Sequence, residues 1–146
     1  MAAFELRDIE FRSDGSKDSL TSSMSPELFH AALKREIAAA KRDERELAIL
    51  TIALSPQTFS SLSQFQEELV NLAFALEQGL RGGDFFARIS DRGFWALLRT
   101  SASNGQLVVD RLDLPRHDSL TTKIVARKYD EYSDWIERVD QLFFTE

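Results

Sequence analysis

Apolar residues recur at helical spacing in two long stretches of the chain. The first begins after Ser25, which predicts an N-cap, and at Pro26, whose missing N–H costs nothing at the first position of a helix. Its apolar positions are Phe29, Leu33, Ile37 and Ala40. The second begins near Ser63, and Gly82-Gly83 is predicted to end it. Its apolar positions are Phe65, Leu69, Leu72, Ala73, Leu76 and Leu80. Each stretch predicts an amphipathic helix.

Short apolar runs between and after these helices predict strands. Residues 46–54 read ELAILTIAL, which is typical of a strand covered on both faces. The apolar runs 85–89 and 94–98 are separated by the polar turn signal SDRG and therefore predict a β-hairpin. A short helix is expected within 107–114, after the polar stretch SASNGQ, and a last strand around 123–127.

The two ends of the chain complete the pattern. Near the N-terminus, a short irregular strand or an arm is predicted by Phe4, Leu6, Ile9 and Phe11. Near the C-terminus, a final helix is predicted by Trp135, Ile136, Val139, Leu142 and Phe143. The order is helix, strand, helix, hairpin, short helix, strand and helix. We therefore expect an α/β (α+β) fold with a mixed central sheet flanked by helices.

Composition and charge narrow the classes of function. The 146 residues fit one domain and carry a formal charge of −6, so we expect no general attraction to nucleic acid or to anionic lipid. There is no cysteine, which excludes thiolate metal sites and cysteine nucleophiles. No stretch approaches the roughly 18 apolar residues of a membrane helix, and no signal peptide is evident, so a cytoplasmic protein without membrane contact is expected.

Four short motifs, in this order and spacing, resemble the GGDEF domain of diguanylate cyclases, which join two GTP molecules into cyclic di-GMP. They are DSLT at 18–21, RGGD at 81–84, SDRGF at 90–94 and WIERVD at 135–140. The resemblance covers residues 18–146, which leaves 1–17 as an N-terminal arm or short strand plus loop. It implies the palm-like fold of nucleotide cyclases, with SDRGF in place of the active-site hairpin.

The same resemblance implies that the catalytic residues are missing. In the family, an acidic residue at the end of the first strand and another in the signature hold Mg²⁺ and the phosphates of GTP. Those positions are Ala53 and Gly93 here, and the signature glycines are Ser90 and Asp91. An acidic residue that reads guanine falls on Gln66. The resemblance thus predicts a degenerate signature turn (Ser90, Asp91, Arg92, Gly93 and Phe94), no catalytic residue, no metal, no cofactor and no cyclase activity.

Two functions stay open. Arg81 and Asp84 match the R-x-x-D motif through which family members bind cyclic di-GMP, and a guanidinium and a carboxylate suit phosphate and guanine. A receptor would need an open Arg81, not one buried in an ion pair. The other function is a regulatory or protein-interaction module in bacterial signalling, with a protein partner or a second copy. The candidate contact residues are 4–11, Phe143-Phe144 and the two tryptophans, Trp95 and Trp135.

An unrelated enzyme on this fold is not supported by the residues. The chain has two histidines, His30 and His117, and both are predicted to lie on the surface, one in a helix and one in a polar loop. No nucleophile and base are evident as a pair.

Overall fold

A four-stranded sheet forms the centre of the structure, a computed structural model that describes residues 3–114 and 118–143. The strands are β1 (Ala48–Leu54), β2 (Phe85–Ser90), β3 (Gly93–Leu98) and β4 (Leu120–Ala126), in the order β2-β3-β1-β4. The helices are α1 (Pro26–Asp43), α2 (Leu62–Gly79), α3 (Ala102–Arg111) and α4 (Tyr132–Phe143). Two 3₁₀ turns lie at Leu6–Asp8 and Pro56–Thr58. The α+β class and the flanking helices are confirmed.

The sheet is antiparallel, not mixed as the sequence predicted. β1 and β2 do run in the same direction, as a crossover through α2 requires. β3 lies between them, however, so each of the three named strand pairs is antiparallel. The one parallel pairing among the described residues is a single bridge between Met24 and Ala87.

Helices cover both faces of the sheet, and β1 is buried between them. Because successive side chains of a strand point to opposite faces, the apolar run of β1 feeds two cores. Leu50, Ile52 and Leu54 pack with the apolar faces of α2 and α3, whereas Ile49 packs with α1 and α4. This agrees with the prediction of a strand covered on both faces.

The helix starts follow their capping residues. The Ser25 Oγ accepts a hydrogen bond from the Leu28 N–H, so α1 begins as predicted. The same contact from Ser101 starts α3 inside the stretch SASNGQ, which the sequence left outside the predicted helix. Ser101 is the N-cap, and the polar residues that follow it form the first turn.

The end of α2 differs from the prediction. The helix stops at Gly79, and Leu80 is already extended, so Gly82-Gly83 lies in the turn that leads into β2. Gly83 has a φ of +94°, which explains a glycine in that turn.

The N-terminal segment is an arm on the α2 face of the sheet. Ile9 is buried, and the Phe4 ring lies 5.4 Å from the Phe65 ring. Trp95 and Trp135 are fully buried, and Phe143 packs against Trp95. Trp95, Trp135 and Phe143 therefore belong to the core, which corrects their prediction as contact residues, while Phe144 lies outside the described residues. None of the helices found in the described residues has the length and apolar character to cross a membrane.

Candidate functional site

The predicted hairpin joins β2 and β3 and lies at one end of the sheet. Ser90 pairs with Gly93, and Asp91 and Arg92 form the turn between them. The Arg92 N–H donates to the Ser90 Oγ at 3.1 Å, and the Arg92 carbonyl accepts from the Leu54 N–H at 2.8 Å. These bonds hold the turn against the end of β1. Phe94, the last residue of the signature, is fully buried.

Gly93 and Ala53 face each other across the β1–β3 ladder. A Cβ atom added at Gly93 would lie 2.2 Å from the Ile52 carbonyl oxygen and 2.8 Å from the Phe143 Cζ. Backbone occupies that space, so even a methyl group at position 93 requires the sheet or α4 to move. The structure thus brings the two positions together and leaves no room for a side chain at one of them.

A cavity of about 290 Å³ opens beside this pair. Two cations, Arg92 and Lys123, and one carboxylate, Asp118, are among its lining residues. The Lys123 Nζ donates to the Leu142 carbonyl at 2.6 Å, and the Arg92 Nε lies 3.7 Å from the Asp91 carboxylate. Within residues 3–114 and 118–143, no cluster of three histidine or acidic side chains suited to a metal ion is found.

Arg81 and Asp84 lie in the turn between α2 and β2. The Asp84 N–H donates to the Arg81 carbonyl at 3.0 Å, and the Asp84 Oδ1 accepts from the Arg99 N–H at 3.0 Å. Burial raises the pKa of Asp84, against the opposing effects of that hydrogen bond and of the nearby arginines. The Arg81 side chain is exposed and has no hydrogen bond or ion pair with another described residue.

The two residues share a cavity of about 670 Å³ with residues that sequence analysis missed. Arg99, at the end of β3, and Arg111, at the end of α3, line it as well. Arg99 is held by an ion pair with Glu36, whose Oε2 accepts from the Arg99 Nε at 3.0 Å. Neither arginine belongs to a motif, so only packing reveals that both face this turn.

No protein-family model matches the sequence, and no curated protein matches it either. Solved structures do match. The GGDEF domain of DgcB from Caulobacter crescentus, in complex with cyclic di-GMP, is 17% identical with a TM-score of 0.74, over 91% of this chain and 90% of that one. The GGDEF domain of TpbB (YfiN) from Pseudomonas aeruginosa is 22% identical with a TM-score of 0.71, over 88% and 86%.

The chain has the fold of a GGDEF domain. A third match shows this fold within a protein complex. The diguanylate cyclase SiaD of Pseudomonas aeruginosa, solved with its activator SiaC, is 19% identical with a TM-score of 0.72, over 87% of this chain and 56% of that one. We therefore refer to the chain as a GGDEF-like domain.

The DSLT motif of this GGDEF-like domain is anchored by a buried ion pair. The side chains of Asp18 and Arg88 are at most 1% exposed, and the Arg88 Nη1 lies 3.0 Å from the Asp18 Oδ2. The Arg88 Nη2 donates to the Asp91 carbonyl at 2.9 Å, and Asp18 also accepts from the Thr21 N–H. Arg88 thus ties the DSLT segment to the signature turn, a role that sequence analysis did not assign.

His30 corrects a further prediction, because it is half-buried and not on the surface. Its Nδ1 lies 2.7 Å from the Tyr132 hydroxyl, and its ring packs edge-on against Trp95. Burial lowers the pKa of His30, opposed in part by Asp140. The other histidine, His117, lies outside the described residues.

Among the described helices, the two most exposed apolar side chains lie on α2 and α3. Phe74 is 66% exposed and Leu107 is 62% exposed, with Val70 at 40%. Phe74 and Leu107 line separate cavities that both include Arg111. Val70 and Phe74 lie outside the apolar face that the sequence predicts for α2. Apolar residues outside that face are the signal from which an exposed patch could have been predicted.

Proposed function

We propose that this GGDEF-like domain does not catalyse the cyclase reaction and acts as a regulatory, protein-binding module in bacterial signalling. The pairing of Ala53 with Gly93 carries the proposal. Both positions correspond, by the resemblance, to acidic ligands of the family. Magnesium is usually held by one or two carboxylates together with substrate phosphates. Here one position is a methyl group, and the other has no space for any side chain.

The charges beside this pair support the same conclusion. Arg92 and Lys123 line the cavity next to Ala53, against the single carboxylate of Asp118. Like charges repel, so two cations disfavour a divalent cation at this end of the sheet. The one carboxylate of the turn, that of Asp91, is also engaged, since it lies 3.7 Å from the Arg92 Nε.

Incubation with GTP tests the absence of cyclase activity. The purified chain is mixed with GTP and either Mg²⁺ or Mn²⁺, and cyclic di-GMP is quantified by chromatography, with an active diguanylate cyclase as positive control. We expect no product above the protein-free blank. Product formed in proportion to protein concentration would refute the proposal.

The regulatory part of the proposal is supported by the exposed apolar residues Val70, Phe74 and Leu107. SiaD, part of which has this fold, was solved in complex with its activator SiaC. A second copy is the partner that is tested most directly, by sedimentation over a range of concentrations. A wild-type dimer that dissociates in Phe74→Gln would assign these residues to self-association. A monomer at all concentrations would leave a different protein as the partner.

A second candidate function is a receptor for cyclic di-GMP at Arg81 and Asp84. The side chain of Arg81 is open, and three arginines line the shared cavity: Arg81, Arg99 and Arg111. Arginine is suited to bidentate contacts with phosphate, and a carboxylate accepts from guanine N–H groups. The DgcB domain, with the same fold, was solved with cyclic di-GMP.

Calorimetric titration with cyclic di-GMP tests the receptor. If the wild type binds, Arg81→Ala should weaken binding by roughly 10- to 100-fold, the equivalent of losing one or two charge-assisted hydrogen bonds. Arg42→Ala, an exposed arginine on α1 that does not line this cavity, is the matched control and should bind as the wild type does. No heat of binding in the wild type would exclude the receptor and leave the protein-binding module.

A further inference from the structure

A separate basic cavity lies at the end of the sheet opposite the signature turn. It is bounded by the last turn of α1, the start of α3 and the loop that follows β4, and its volume is about 760 Å³. It shares no lining residue with the cavity of Arg81 and Asp84. Neither the GGDEF resemblance nor the proposed function assigns a role to this cavity.

One arginine in its wall, Arg127, has an N–H group without an acceptor. The Arg127 Nε is shielded from solvent and has no hydrogen-bond partner in the described part of the chain, whereas the Arg45 Nε lies 3.5 Å from the Asp43 Oδ2. Arg127 is only 5% exposed, and one of its terminal nitrogens donates to the Asp130 carbonyl at 2.8 Å. Buried donors are nearly always paired in native proteins, and charged ones most of all. The unpaired donor of Arg127 therefore points to an acceptor that a ligand supplies.

The first turn of α3 contributes a third element. Ser101 and Ala102 line the cavity, and Ser101 caps the helix through the Asn104 N–H. The N-terminal N–H groups of a ten-residue helix carry a partial positive charge and favour an anion. This helix end faces the same space as the two arginines.

Cations outnumber carboxylates among the residues that line the cavity. Four cations line it, Lys41, Arg45, Arg127 and Lys128, against Glu44 and Glu46. Lys41 is engaged by Glu131 at 2.6 Å, which leaves Lys128 as the lysine available to a ligand. Arg45 is likewise close to a carboxylate, that of Asp43 at 3.5 Å, so Arg127 and Lys128 are the cations left for an anion.

We propose that this cavity binds the phosphate group of a small phosphomonoester. Arginine presents a planar fork of donors that matches phosphate, and the helix end adds backbone donors to the same anion. The volume exceeds that of a phosphate group, so there is room for the remainder of an ester. Tyr129, 96% exposed at the rim, offers an aromatic face to that remainder.

The test is a titration of the full chain followed by backbone NMR, with inorganic phosphate in one arm and glycerol 3-phosphate in the other. Ionic strength is held constant with chloride. We expect saturable shifts confined to the amides near Arg45, Ser101 and Arg127–Tyr129. Arg45→Gln and Lys128→Gln should each weaken binding roughly tenfold. Arg35→Gln, on α1 and outside the cavity, should leave binding unchanged.

Arg127 is left intact in this design because it braces the loop after β4. Shifts no larger than those caused by chloride, or binding unchanged in both cavity variants, would overturn the proposal. Binding of inorganic phosphate without glycerol 3-phosphate would overturn the assignment to phosphomonoesters. Arg81→Ala should leave the titration unchanged, so the result is independent of the cyclic di-GMP experiment.

Discussion

At the scale of single residues, Gly93 shows how the absence of a side chain shapes the candidate site. Its Cα faces Ala53, and the space in front of it is taken by the Ile52 carbonyl and by the Phe143 ring. A ring from the last helix therefore fills the place where a longer side chain would have extended. The environment of Gly93 is a packing contact between α4 and the sheet.

We predict that Gly93→Ala destabilises the fold by about 1–3 kcal/mol, because the new methyl group overlaps backbone that cannot rotate away. Gly82→Ala is the matched control, since no atom lies within 4 Å of its added Cβ. That change should be neutral or stabilise by about 0.4–1 kcal/mol, through the unfolded chain. Urea unfolding measures both variants, and equal stabilities would contradict the packing argument.

Asp18 and Arg88 form the other decisive contact at this scale. The pair is shielded from water, and each partner depends on the other, because an unpaired buried charge is strongly unfavourable. Arg88 also stacks over the Phe11 ring at 5.0 Å and contacts the turn at Asp91. One guanidinium thus holds the arm, the DSLT segment and the hairpin in place.

We predict that Asp18→Asn costs about 3–5 kcal/mol, since it leaves the Arg88 charge without its partner. The exposed ion pair of Arg7 and Glu5 offers the comparison. Their side chains are 80% and 66% exposed, and the Arg7 Nε lies 2.9 Å from the Glu5 Oε2. Glu5→Gln should cost no more than about 1 kcal/mol. Both values come from chemical unfolding, and a small effect of Asp18→Asn would mean that water reaches the pair.

At the scale of elements, α1 and α4 pack side by side on one face of the sheet. His30 of α1 and Tyr132 of α4 meet at 2.7 Å, and the Lys34 Nζ lies over the Tyr132 ring. His30 and Trp95 are in edge contact, so this cluster also reaches the sheet. The contact places a titratable group between two helices.

Stability should fall as the pH drops through the usual histidine range. Burial lowers the pKa of His30 below its ordinary value of 6.5, so the unfolded chain binds more protons than the folded one in this range. The slope cannot exceed about 1.4 kcal/mol per pH unit for one proton. Unfolding between pH 7.5 and 5.5 measures it.

Substitution of His30 tests this origin of the dependence on pH. His30→Gln should flatten the dependence. The pKa of Asp140 is raised by burial, so that carboxyl contributes with the opposite sign as it protonates. A slope that persists in His30→Gln would assign the dependence to another group.

At the scale of the whole molecule, β1 is the strand that joins the two cores. It pairs with β3 on one side and β4 on the other, and its residues are buried on both faces. β2 and β4 lie at the outer positions of this sheet, and β4 exposes Thr121 and Thr122. Opening β1 therefore requires both helical layers to separate.

We predict that the amides of β1, in particular Ile49 to Ile52, exchange with solvent more slowly than those of β4. Their exchange should require global unfolding, whereas β4 opens locally at the sheet edge. Hydrogen exchange followed by NMR measures both strands. Protection in β4 equal to that in β1 would show that the sheet opens as one unit.

The sequence determined the local elements of this protein. The apolar run of β1, the helical spacing in α1 and the SDRG turn each depend on neighbouring residues, so each could be predicted from its own stretch of chain. The polar start of α3 and the end of α2 were missed because capping and packing override polarity there. The proximity of Arg81 and Asp84 could also be predicted from the sequence, since both lie in one turn.

Only the tertiary structure decided which distant residues meet. Phe143 fills the space at Gly93, and Arg88 forms an ion pair with Asp18. Arg45 and Arg127 line one cavity. The two residues of each pair are at least 50 positions apart in the sequence. The antiparallel order of the strands was likewise decided by β3 inserting next to β1. Such contacts depend on how helices and strands pack in three dimensions, and no local pattern of one chain specifies that packing.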